Sequence, residues 1–224
     1  GIRAETPFHQ FTVPVDPYVK PGDPSSGLLP SLQPGDGGRP GDGDHRVQAY
    51  NLRLCLTQRP ANRKPIELTG DHDPARYEIL ARYLEALVAA GKPPKLDDLL
   101  SIKLMPNGKT DMNNNGPFST DFIGESWDYP EADHETRQKI WKKHLDYTTG
   151  FLHFLGTSPR VPESLRKEMQ SWGLTRDELQ ETGGWSHQLY VREARRMVSD
   201  YVMTEHDCRG KVKDTCAVNT SSEH

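Results

Sequence analysis

Val47-Gln-Ala-Tyr-Asn-Leu-Arg-Leu-Cys-Leu56 carries the clearest local signal in the chain. Tyr50, Leu52, Leu54 and Leu56 alternate with Asn51, Arg53 and Cys55, a period of two. Successive side chains of a strand point to opposite faces, so this run reads as a strand with one face in a core. Cys55, inside it, reads as a buried thiol.

Helical periodicity follows. Asp73-Pro74 has the form of an N-cap with proline at the first helical position. Tyr77, Leu80, Tyr83, Leu84, Leu87 and Val88 then make one apolar stripe, which Gly91-Lys-Pro-Pro94 stops. Leu96–Leu104 is ambiguous and leads into the loop Pro106-Asn-Gly108. A second helix is expected over residues 131–155, with Ile140, His144, Tyr147, Phe151 and Leu155 on one face and Gly156 at its end. Val161-Pro-Glu opens a third, running to about Trp172. Thr175-x-x-Glu178 has the pattern of a capping box and predicts a short fourth. The fold expected is α+β, a small mixed sheet with several packed helices behind a Pro/Gly-rich N-terminal region. Residues 1–45 hold Val13-Pro-Val-Asp-Pro-Tyr-Val-Lys-Pro-Gly-Asp-Pro24 and the Gly-Asp-Gly repeats after Gly35, so they read as an extended segment wrapped over something else. Residues 46–207 read as one domain and 208–224 as a polar tail.

At 224 residues the chain suits one large or two small domains. A net charge of -4 argues against general nucleic-acid or anionic-membrane binding. No apolar run approaches the ~20 residues of a membrane span, and no signal-peptide pattern is read at the start. The expectation is a soluble protein, cytoplasmic or exported. Three cysteines make no disulfide framework, although Cys208 and Cys216 could pair. No Cys-x-x-Cys or His-x-x-x-His spacing points to zinc.

Two stretches carry candidate chemistry. In Lys109-Thr-Asp-Met-Asn-Asn-Asn-Gly116, Asp111, Asn113, Asn115 and Gly116 match the first half of a calcium loop. Its twelfth position is Phe122, where a bidentate glutamate belongs, so no metal is expected. The stretch reads either as a turn network or as substrate or cofactor contact through Lys109, Asp111, Asn113 and Asn114. The second stretch, Gly183–Met197, follows a Gly-Gly hinge with Trp185, His187 and Gln188, then gathers Arg192, Glu193, Arg195 and Arg196. Its periodicity fits helix or strand. The arginines read as a salt-bridge knot or as forks for a carboxylate, phosphate or flavin edge. His187, an imidazole titrating near neutrality, is a candidate for proton transfer. His144 reads as a hydrogen-bonded core histidine. A rival reading is a non-catalytic carbohydrate- or ligand-binding module using Trp127, Tyr129 and Trp185 as stacking platforms.

Several blocks in one order resemble the FAD-dependent oxidoreductase family: Val15–Leu29, Gln48–Leu56, Lys109–Asn114 with Phe118–Asp121, and Gln188–Met197. The resemblance implies a larger flavoprotein in which a Gly-x-Gly-x-x-Gly turn holds the FAD pyrophosphate. This sequence has no such fingerprint. It therefore resembles a middle, substrate-side portion, whose missing dinucleotide-binding portion would hold FAD in the complete enzyme. Tight FAD binding and activity are not expected of this chain alone. The resemblance also favours a strand over Gln188–Met197. In such an enzyme Arg192, Arg195 and Arg196 would face the flavin site or an anionic group. His187 would accept a proton from a small-molecule substrate. Lys109, Asp111, Asn113, Asn114 and Gln188 would line the pocket.

Overall fold

The computed structural model of the chain describes residues 9–35, 38–39, 42–70, 73–192, 194–195, 197–203 and 207. The chain divides into two units, Gly1–Arg192 and Glu193–His224. Elements and site below belong to the first. In the second, Met197, Val198, Tyr201, Val202 and Met203 are exposed, and Cys208 and Cys216 lie outside the described residues.

The period-two run is present. Tyr50, Leu52, Leu54 and Leu56 are buried, while Arg53 and Cys55 on the other parity are only half-buried. Cys55 is thus not the fully buried thiol expected, because it shares the outward face with Arg53. Asn51 breaks the alternation: it lies on the outward parity yet is 2% exposed. Most of the run is held by single bridges, Asn51 to Tyr190 and Leu54 to Met112. Regular pairing starts at β1 (Leu56–Thr57). The other strands are β2 (Arg63–Lys64), β3 (Leu100–Met105), β4 (Lys109–Asn114) and β5 (Gly173–Thr175). Their order is β2-β5-β1-β4-β3, with every pairing antiparallel. The fold is α+β.

Leu96–Leu104, ambiguous in sequence, splits into a single 3-10 turn over Leu96–Asp98 and then β3. Asn107 (φ 64) and Gly108 (φ 68) take left-handed conformations that turn β3 back into β4.

Three helices pack beside this sheet. Asp73 caps a 3-10 turn over Pro74–Tyr77 that feeds α1 (Glu78–Ala89). The long α2 (His134–Thr157) starts where the Asp133 carboxylate accepts the Thr136 amide at 2.8 Å. It runs through Gly156 rather than ending there, and Gln170 Nε2 of α3 (Glu163–Ser171) donates to the Gly156 carbonyl at 2.7 Å. The predicted fourth helix is absent. Thr175 is drawn into β5, and Glu178 pairs with Lys109 instead of capping a helix. Only a 3-10 turn, Gln180–Thr182, follows. The described residues of Gln188–Met197 form no regular strand either. Tyr190 makes one bridge, and the Val191 amide then turns back to the Leu189 carbonyl at 2.9 Å, which bends the chain out of register.

The N-terminal segment wraps α1, as its prolines imply. The Asp16 carboxylate accepts the Tyr18 and Gly22 amides. Arg82 of α1 donates to the carbonyls of Asp16, Tyr18 and Val19.

An aromatic stack fixes the loop that follows β4. Phe122 lies face to face with Tyr147 of α2, ring centroids 4.1 Å apart, and the Tyr147 hydroxyl donates to the Ser119 carbonyl at 2.6 Å. Gly116 (φ +70) makes the turn into that loop, and a Cβ there would sit 2.3 Å from the Asp98 carbonyl oxygen. Both strain and a backbone clash oppose any larger residue. Gly116→Ala should therefore lose more than about 1 kcal/mol of stability in urea unfolding; a neutral result would mean that this turn is not held as described.

Candidate functional site

The Asp121 carboxylate organises the polar cluster at the end of β4. A carboxylate can only accept, so its neighbours must turn their N–H groups towards it. Asn51 Nδ2 donates to Asp121 Oδ1 at 2.9 Å, and Asn114 Nδ2 donates to Asp121 Oδ2 at 2.8 Å. The same Asn51 nitrogen donates to Asn113 Oδ1 at 2.8 Å. That choice leaves Asn113 Nδ2 turned away from the bond, and it leaves Asn51 Oδ1 buried without a partner. Burial pushes the Asp121 carboxyl up to about 6, against the opposing influence of His9, the Asn51 hydrogen bond and Arg192.

Tyr190 stands beside this cluster, its amide bonded to the Asn51 carbonyl at 2.8 Å. Two guanidinium groups approach its ring, Arg53 at 5.1 Å from the centroid and Arg192 at 5.3 Å. Arg53 also holds Asp111 through two hydrogen bonds, so that carboxylate is neutralised. His9 Nδ1 donates to the Gly116 carbonyl at 3.0 Å, which brings this side chain near Asp121.

The predicted site residues therefore separate. Asp111, Asn113 and Asn114 come together with Arg192, joined by Asn51, Arg53, Asp121 and Tyr190. Lys109, at the opposite end of β4, is held by Asp177 at 2.9 Å and by Glu178, and these carboxylates raise its pKa to about 12. His187 and Gln188 are exposed, and among the described residues neither side chain makes a hydrogen bond or ion pair to the cluster. Arg195 belongs to the second unit and is exposed, while Arg196 lies outside the described residues. Asn51 could have been noticed as the one carboxamide inside an apolar alternation. Asp121 ends one of the blocks that carry the resemblance, but nothing in sequence marked it as a site residue, because only tertiary burial raises its pKa.

Other sequence candidates have structural explanations. His144 Nδ1 donates to the Ile140 carbonyl at 2.8 Å and Nε2 faces the Ser126 hydroxyl at 3.2 Å, all of it buried. Burial lowers its pKa. Phe122, at the twelfth position of the calcium pattern, is core, and Asp111 and Asn113 lie on a strand rather than in a chelating loop. Trp185 is buried and offers no face for stacking, and Tyr129 packs against Tyr50 and Arg137. No helix of the described residues is long and apolar enough to cross a membrane.

A model of the family described as FAD dependent oxidoreductase matches residues 4–222. The chain belongs to that family. No curated protein and no solved structure gives a significant match.

FAD is implied by this family, yet the described residues do not fit its dinucleotide. A pyrophosphate seats on open backbone amides at a helix N-terminus. Here a carboxylate occupies or flanks each such end: Asp73 before α1, Asp133 at α2, Glu163 in the first turn of α3. The described strands, paired antiparallel, form no βαβ unit. A cavity of about 480 Å³ between the N-terminal segment and Ile79 of α1 is lined mainly by apolar side chains, and its one side-chain hydroxyl, Thr12, is already bonded to the Tyr83 hydroxyl at 3.1 Å.

Two outcomes test the cluster. The Asp121 carboxyl should titrate near 6 in a carbon-detected NMR titration. Its folded value lies above the ordinary 3.8, so the folded state binds the extra proton between those values. The contribution of Asp121 to stability must then decline as pH rises from 3.8 to about 6. A midpoint near 3.8 would show the carboxylate to be solvated. Asn51→Leu removes donors from Asp121 and Asn113; it should cost about 1–3 kcal/mol and move the Asp121 midpoint higher. An unchanged midpoint would disconnect the two residues.

Proposed function

We propose that this chain is the substrate-side portion of an FAD-dependent oxidoreductase. In the complete enzyme a hydride passes from an organic substrate to flavin held by a dinucleotide-binding portion of the same enzyme. The family match over residues 4–222 carries this reading. It is supported by the acidic residues at or near the helix starts, which disfavour a phosphate there and leave FAD to be held elsewhere. The isolated chain is then inactive.

The substrate side of the site is the cluster at the end of β4. Asn113 and Asn114 present carboxamides, Asp111 is screened by Arg53, and Arg192 stands on Tyr190. Arg192, with Arg195 and Arg196 following in sequence, would supply positive charge towards the flavin. Asp121 suits proton acceptance better than His187, because a half-buried carboxylate with a raised pKa titrates close to neutrality. Lys109 serves as a strut to Asp177 and Glu178, and His187 and Gln188 lie exposed on the segment that leads to Tyr190.

The test is to purify the complete natural polypeptide and this 224-residue chain side by side and record visible flavin absorbance after adding FAD. The complete protein should retain flavin through gel filtration and this chain should not. A complete protein that neither carries nor takes up flavin would sink the reading.

A further inference from the structure

The Asp121 cluster offers two unlike groups on either side of one buried amide. Asn51 Nδ2 bonds both Asp121 Oδ1 and Asn113 Oδ1, so these oxygens are held close together. Asp121 brings an acceptor. Asn113, its Oδ1 committed to Asn51, brings the two N–H donors of Nδ2, which make no hydrogen bond among the described residues. Both side chains are half-buried, and so is Asn114. A group that donates one hydrogen bond and accepts another fits this pair, and a hydroxyl does both.

Charge narrows the choice. A carboxylate ligand would meet the Asp121 carboxylate at the heart of the cluster. An ammonium ligand would approach the guanidinium groups of Arg53 and Arg192, which converge on Tyr190 next to Asn51. A neutral hydroxyl meets neither opposition. Tyr190, 42% exposed, adds aromatic surface of the kind that packs against the C–H face of a sugar ring.

We propose that Asn113 and Asp121 bind a hydroxyl of an uncharged polyhydroxylated compound, of monosaccharide or polyol type, with Tyr190 alongside. Asn114 and Asn51 are positioning residues: their Nδ2 groups hold the two oxygens of Asp121. The proposal rests on the substrate-side reading above and names the substrate class of that site. It also moves carbohydrate recognition away from Trp185, which is buried.

The experiment uses the isotopically labelled 224-residue chain, held well above the Asp121 value of about 6 so that the carboxylate is ionised. Glucose, xylose, propionate and methylammonium are titrated separately, and the side-chain amide signals of Asn113 and Asn114 are followed. Saturable shifts of these signals with glucose or xylose, and none with propionate or methylammonium, are expected. Asn113→Asp keeps the oxygen that Asn51 needs and replaces the donor, so sugar affinity should fall at least about tenfold. Asp121→Asn should weaken it similarly, with melting curves confirming that each variant folds. Should a variant fail to fold, the position of the wild-type shifts decides by itself. The proposal is overturned if neither sugar moves the two signals, if propionate or methylammonium moves them equally, or if folded Asn113→Asp binds sugar unchanged. Flavin in the complete polypeptide without sugar binding here would remove this inference alone. Sugar binding beside a flavin-free complete polypeptide would remove the oxidoreductase reading alone.

Discussion

The backbone from Tyr50 to Thr57 runs through the interior, and buried amides and carbonyls there must find partners. They find them in four different parts of the chain. The Tyr50 amide donates to the Ser126 hydroxyl and its carbonyl accepts the Phe122 amide. The Asn51 carbonyl accepts from Tyr190. Leu54 exchanges both bonds with Met112 of β4, and the Cys55 carbonyl accepts from Thr175 of β5. At Leu56 the Thr110 hydroxyl serves the amide and the carbonyl at once. One extended run thereby collects the loop after β4, the segment at Tyr190 and two strands. The polar cluster forms where three of these meet.

Within the cluster a single charge sets the orientation of its neighbours. Because Asp121 only accepts, Asn51 and Asn114 turn their nitrogens to it and Asn113 turns its oxygen to Asn51. Burial raises the carboxyl while His9, the Asn51 hydrogen bond and Arg192 restrain it. The aromatic stack of Phe122 on Tyr147 holds the loop that carries Asp121, so packing on α2 governs the geometry of that carboxylate. The same acidic residues that stabilise helix starts elsewhere make those starts poor seats for a phosphate. The chain thus joins membership of this family to helix starts whose acidic residues disfavour a phosphate.

Sequence periodicity read well wherever burial alone decides structure. The alternation from Tyr50 to Leu56, the stripe of α1 and the apolar face of α2 are all present, with Asp73 capping as expected. It failed where a side chain had a better distant partner. Glu178 matches a capping box but binds Lys109, sixty-nine positions away in sequence. Gln188–Met197 has the composition of a strand, but after Tyr190 the chain turns upon itself.

By itself the sequence determined the α+β class, the main helices, the family and the polar residues of β4, because hydrophobic period, caps and ordered motif blocks are local or linear properties. The tertiary structure alone decided that Asn51 is buried, that Asp121 is its partner, and that Lys109 and His187 stand apart from Asn113. These are consequences of which surfaces pack together, and a carboxylate acquires a raised pKa only when distant residues take it out of water.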